Sequence, residues 1–133
     1  MILVLVVLSV SLKKMRLNNT EYARKKPPLE VETQRQILTW LKLKGIFAFR
    51  VNTGGLRRNG KWVPSPTITK GTADIIALHN ARFIAIEVKR IGGKLSDDQV
   101  EFLKGVTASG GLAIVAYSLN DVRTHLEPLA FPR

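Results

Sequence analysis

The chain contains no cysteine among its 133 residues. That absence excludes a disulfide scaffold, a thiol nucleophile and a Cys-ligated zinc or iron–sulfur site. Acidic residues are scarce: 10 Asp and Glu stand against 21 Lys and Arg, giving a net charge of +11 and a pI near 10.5. In a small domain this imbalance points to a polyanionic partner, nucleic acid or an anionic membrane surface. No apolar run reaches the roughly 20 residues that a membrane span needs. The stretch from Met1 to Leu12 is almost wholly apolar, but Lys13, Lys14 and Arg16 follow it, the reverse of the order in a secretory signal. Internal repeats and low-complexity tracts are absent as well. With 45% hydrophobic and 23% charged residues, the chain has the composition of one soluble globular domain with a single core.

Residues 1–28 read as an N-terminal extension, apolar and then basic, outside the core, with Met15 as a candidate start of the native protein. The domain then covers 29–133. Leu29 to Lys44 has helical spacing, with Ile37, Trp40 and Leu41 on one stripe and Gly45 as a stop. Ile46 to Thr53 reads as a strand bounded by Gly54-Gly55, and Leu56 to Lys70 as a basic loop interrupted by Gly and Pro. Ala73 to Leu78 and Arg82 to Lys89 are two short strands around a turn. Ser96 opens a helix running to about Ser109, and Ser96-Asp97-Asp98-Gln99 fits a capping box. Gly110-Gly111 ends that helix, Leu112 to Tyr117 is a buried strand, and Asn120 to Leu126 is a last helix. The expected order is αβββαβα.

Chemistry concentrates in the central hairpin. If Asn80 and Ala81 form a two-residue loop, Asp74 lies directly opposite Glu87, with Cβ atoms roughly 5 Å apart. Both strands are otherwise apolar, through Ile75, Ile76, Ile84, Ile86 and Val88. Two like charges so placed repel, and a buried carboxylate pair is costly unless one group is protonated or a cation lies between them. Lys89 is two residues beyond Glu87 and therefore on the same face. Two carboxylates and an ammonium on one strand face make a divalent-metal site. The bland alternative, an edge-strand Glu87–Lys89 pair with Asp74 merely opening a strand, explains poorly why all three charges share one face. An odd number of turn residues would break the register.

Gly71-Thr72-Ala73-Asp74, followed after twelve residues by Glu87-Val88-Lys89, resembles the Asp…Glu-x-Lys motif of the PD-(D/E)XK nuclease superfamily. More narrowly, the chain resembles the small stand-alone VRR-NUC nucleases of phages and bacteria, which are related to Holliday junction resolvases. The likeness spans about residues 30 to 126 and takes in Glu32…Gln36, Asn52-Thr53-Gly54-Gly55, and Gly93-Lys94-Leu95-Ser96 followed by Gln99. Gly71-Thr72 stands where the superfamily's nominal signature has proline.

The resemblance implies an α/β, restriction-endonuclease-like αβββαβ core with a mixed central sheet flanked by helices. It implies a DNA endonuclease, structure-selective for branched DNA or Holliday junctions, leaving 5′-phosphate and 3′-hydroxyl ends. Asp74, Glu87 and the carbonyl of Val88 would hold Mg2+ or Mn2+, ions that take oxygen ligands. Lys89 would orient or help deprotonate the attacking water, and Glu32 would reach the same metal directly or through water. Glu32 equally suits a solvated helix start favoured by the dipole, and Gln99 would join Asp74, Glu87 and Lys89 in the catalytic set, with a rival role as a cap. Arg57, Arg58, Lys61, Lys70, Arg90 and Lys94 flank the site as phosphate contacts, and Trp62 could stack on an unpaired base. Trp40 reads as core, and His79 and His125 have no pattern that would make a zinc site. The expected partners are DNA and a second copy of the chain, with no small-molecule cofactor and no membrane. The expected location is the cytoplasm of a bacterial cell or phage-infected host. The rival class is a non-catalytic nucleic-acid-binding module, which would keep the basic residues but not need Asp74, Glu87 and Lys89 together.

Overall fold

A computed structural model describes residues 28–51, 56–63, 65 and 68–127. The N-terminal extension with its candidate start at Met15, and the Asn52-Thr53-Gly54-Gly55 segment, lie outside the described residues. Helix α1 runs Glu30–Leu43, and its buried face carries Ile37 and Leu41, one turn apart and both fully enclosed. Burying such a side chain is worth about 2–3 kcal/mol, which is what holds a helix of this length on its sheet. Gly45 ends it at φ 70°, a left-handed conformation that lets the Ile46 N–H donate back to the Leu41 carbonyl at 2.9 Å.

Strand β1 (Phe47–Arg50) follows, then a separate hairpin of β2 (Leu56–Arg58) and β3 (Lys61–Val63), then β4 (Ile75–His79) and β5 (Arg82–Val88). Helix α2 (Asp97–Ala108), strand β6 (Leu112–Ala116) and helix α3 (Leu119–Leu126) complete the order. The main sheet has the order β1-β4-β5-β6, antiparallel through β5 and parallel between β5 and β6. A parallel step needs a crossover, and α2 supplies it. The expected mixed sheet flanked by helices is therefore present. The segment expected to be a basic loop is corrected: it contains the β2–β3 hairpin, a two-stranded sheet of its own.

Asn80 and Ala81 sit at φ 50° and 59°, both left-handed, as a two-residue turn matched to strand twist requires. The ladder runs from His79 opposite Arg82 to Ile75 opposite Ile86, the register expected from the sequence. Alternation then sorts the sheet into two faces. Ile75, Ala77, Ile84, Ile86 and Val88 pack with Ile37 and Leu41 of α1 and Val122 and Leu126 of α3. Ile76, Ala85, Ala113 and Val115 pack with Leu103 and Val106 of α2. On that second face the cross-strand row Phe47, Leu78, Phe83 is exposed, with Phe49 beside it. Among the described residues, no helix is long and apolar enough to cross a membrane.

Candidate active site

The next position outward from the Ile75–Ile86 pair carries Asp74 and Glu87. Both lie on the sheet face packed by α2, because strand alternation turns positions 74, 76, 87 and 89 to that side. Glu87 is 2% exposed. Its Oε1 accepts from Gln99 Nε2 at 2.6 Å and lies 3.4 Å from Lys89 Nζ. Asp74 turns its Oδ2 to the backbone N–H of Val88, at 2.8 Å. Burial pushes Glu87 from the ordinary carboxylate value up to about 7, the Asp74 charge adds to this, and Lys89 opposes it. Burial also raises Asp74, against the Val88 N–H and the Lys89 charge, and Glu30 adds to the rise. The site holds more negative charge than its one ammonium neutralises.

Gln99 is placed by its own helix. The Ser96 hydroxyl accepts the Gln99 backbone N–H at 3.3 Å, and Gln99 Oε1 accepts the Ser96 N–H at 2.9 Å. With its oxygen engaged in the cap, the amide can present only its NH2 to Glu87. The capping and site readings of Gln99 are thus one arrangement. Gly71 brings the strand approach against this turn: at φ 79°, a Cβ there would lie 2.2 Å from the Asp98 carbonyl oxygen. Lys70 pairs with Asp98 at 2.9 Å on the same turn.

The structure separates the two carboxylates of α1. Glu32 is exposed, and its Oε2 accepts the Leu29 N–H at 3.0 Å, capping the helix. Glu30 is the one whose charge acts on Asp74, and its Oε1 accepts the Arg90 N–H at 3.2 Å. Sequence reasoning missed Glu30, and also Arg50, the last residue of β1, whose positive charge acts on Asp74. A signal for Arg50 existed: a cation ending the strand whose neighbour opens on Asp74. Arg90 and Lys94 are exposed on the turn after Lys89, and Arg57, Arg58 and Lys61 lie on the β2–β3 hairpin. Val88 is buried beside Asp74.

Among the described residues no three His, Cys, Asp or Glu side chains are grouped to hold a metal. The donor set is instead two carboxylates that repel one another, Glu87 buried and Asp74 half-buried, with hard oxygen atoms. That set fits Mg2+ or Mn2+, which are bound through one or two carboxylates and fill other positions with water and phosphate.

No protein-family model and no curated protein matches the chain. Among solved structures, a VRR_NUC domain protein superimposes with a TM-score of 0.50 at 19% identity, over 77% of this chain and 88% of that one. Hjc, a Holliday junction resolvase from the archaeal hyperthermophile Archaeoglobus fulgidus, matches with a TM-score of 0.45 at 31% identity. The chain covers 65% of that resolvase's length, and 65% of this chain is matched. The likeness to the VRR_NUC domain protein is one of fold. The chain is an α/β protein with the restriction-endonuclease-like core that the motif resemblance implied.

Proposed function

We propose that the chain is a divalent-metal-dependent DNA endonuclease, selective for branched DNA such as Holliday junctions. The observation that carries this reading is the pairing of buried Glu87 with half-buried Asp74, with Lys89 Nζ 3.4 Å from Glu87. A non-catalytic binding module has no use for a buried carboxylate set against a second, half-buried one. The fold likeness to a VRR_NUC domain protein supports the choice of chemistry, and the resemblance of the motifs to the resolvase-related nucleases supports branched DNA as substrate.

In this reading Asp74, Glu87 and the Val88 carbonyl would hold Mg2+ or Mn2+. When bound, such an ion would supply charge neutralisation at the scissile phosphate and a more acidic water. The chain's own groups do the rest. Lys89 stabilises negative charge developing on the phosphate and orients the attacking water. Gln99 fixes the Glu87 carboxylate through its capped amide. Glu30, in the place expected for Glu32, adds negative charge at the rim, and Arg50, Arg90 and Lys94 are placed to meet the DNA backbone. The product ends are 5′-phosphate and 3′-hydroxyl. The test is incubation of branched and linear DNA with Mg2+, Mn2+ or EDTA. Cleavage is expected with either metal and not with EDTA, most strongly on branched DNA. No cleavage of any DNA with either metal would leave the binding-module reading in its place.

Symmetric cutting of a junction asks for two sites related by a two-fold axis, so we propose that a homodimer does the work, in the cytoplasm. The exposed row of Phe47, Leu78 and Phe83, with Phe49, is an apolar face suited to a second copy. Sedimentation should show a dimer that Phe47→Ser with Phe49→Ser converts to monomer. A monomeric parent at assay concentration would contradict this.

A further inference from the structure

We propose that the β2–β3 hairpin is an arm that grips the duplex beside the cut, with Arg58 and Lys61 as its paired phosphate contacts. This rests on DNA being the partner, as argued above. The chain between Val51 and Asp74 leaves β1 and returns to β4 at one point, because the Val51 N–H donates to the Asp74 carbonyl at 2.8 Å. The excursion is therefore rooted at a proposed metal ligand. No acidic residue occurs anywhere from 33 to 73, so the arm carries cations alone.

Within the arm, Asn59 and Gly60 sit at φ 50° and 74°, a two-residue turn with both residues left-handed. This turn sets Arg58 directly opposite Lys61 and Arg57 opposite Trp62. Opposed residues share a face, so Arg58 and Lys61 stand side by side, roughly 5 Å apart at Cβ. Arg57, Arg58 and Lys61 are all exposed, and none pairs with an acidic side chain among the described residues. Like charges directly opposite destabilise a hairpin, and this one is only three residues deep on each strand. Such an arrangement works against the isolated fold and in favour of a bound polyanion, since a phosphodiester backbone turns the repulsion into attraction. A two-stranded ribbon is also of a width that a DNA major groove admits. The same reasoning that asks for a cation between Asp74 and Glu87 asks here for phosphate between Arg58 and Lys61.

The experiment measures equilibrium binding of a short duplex and of a four-way junction in EDTA, over a range of salt, for the parent and for Arg58→Gln/Lys61→Gln. Losing two phosphate contacts should make the log–log salt slope shallower by about 1.8, at about 0.9 per contact. The charge-matched control Lys104→Gln/Arg123→Gln, on α2 and α3, should keep the parent's slope, with circular dichroism verifying that each variant is folded. An unchanged slope in the hairpin variant, or an equal loss in the control, overturns the proposal. Because binding is read without cleavage, the two readings fail separately. A parent that cuts DNA while its hairpin variant keeps the full slope refutes the arm alone. A parent that cuts nothing while the slope falls as expected refutes the nuclease alone.

Discussion

Asp74→Ala, Glu87→Ala and Lys89→Ala should each slow DNA cleavage by about two to three orders of magnitude, the usual effect of removing a positioned electrostatic group. Binding of the same DNA in EDTA should change little, because in the proposed mechanism the three side chains act on the reacting phosphate and not on the flanking backbone. The variants differ in what else they disturb. Asp74 Oδ2 accepts the Val88 N–H, so alanine there leaves a donor beside a buried strand without its partner, costing about 1–3 kcal/mol. Asp74→Asn keeps an acceptor at nearly constant shape, and its cleavage should fall as far as that of Asp74→Ala while its fold is retained. Near-normal cleavage by Glu87→Ala would contradict the mechanism, since among the described residues Glu87 is the carboxylate that pairs with Lys89.

The second large effect is a reversal in how stability depends on pH. Glu87 titrates near 7 in the folded protein against an ordinary value of 4.5. Between those values the folded state binds a proton that the unfolded state does not, so this contribution is complete below about 4.5 and is lost as pH rises through 7. In EDTA, melts from pH 4.5 to 7.5 should show the parent losing stability relative to Glu87→Gln, by ~2 kcal/mol once solvent screening is allowed for. Asp74, also raised, pulls in the same direction. With Mn2+ the trend should flatten or invert, because an ion held as proposed would need both carboxylates ionised and would bind only the folded state. Parallel curves for parent and Glu87→Gln in EDTA would show that Glu87 is not the strained group described here.

The central hairpin was legible because a two-residue turn leaves no freedom of register: placing Asn80 and Ala81 in the loop was enough to set Asp74 against Glu87. The long periodic elements were readable for the same kind of reason, since Ile37 and Leu41, or Ile84, Ile86 and Val88, repeat at the period of their element. The β2–β3 hairpin escaped because its strands are only three residues each, Leu56–Arg58 and Lys61–Val63, too short to show apolar alternation. Asn59-Gly60, a strong two-residue turn signal, was the clue that could have found it. The choice between Glu30 and Glu32 depended on helix phase in the first turn. There capping pulls one carboxylate back toward Leu29 and leaves the other to face Arg90. Gln99 looked like a cap or a site residue, and the geometry of an amide allows both at once.

The central claim is that Asp74 and Glu87 together hold a divalent ion. Calorimetric titration of Mn2+ into the protein at pH 7, in two buffers of different ionisation enthalpy, tests it most directly. With Glu87 half-protonated near pH 7, one Mn2+ should bind per chain and release a fraction of a proton to the buffer. Glu87→Gln should lose both the binding and the proton release, and Asp74→Asn should lose the binding. Mn2+ binding that persists unchanged in Glu87→Gln, or no binding by the parent, would contradict the account.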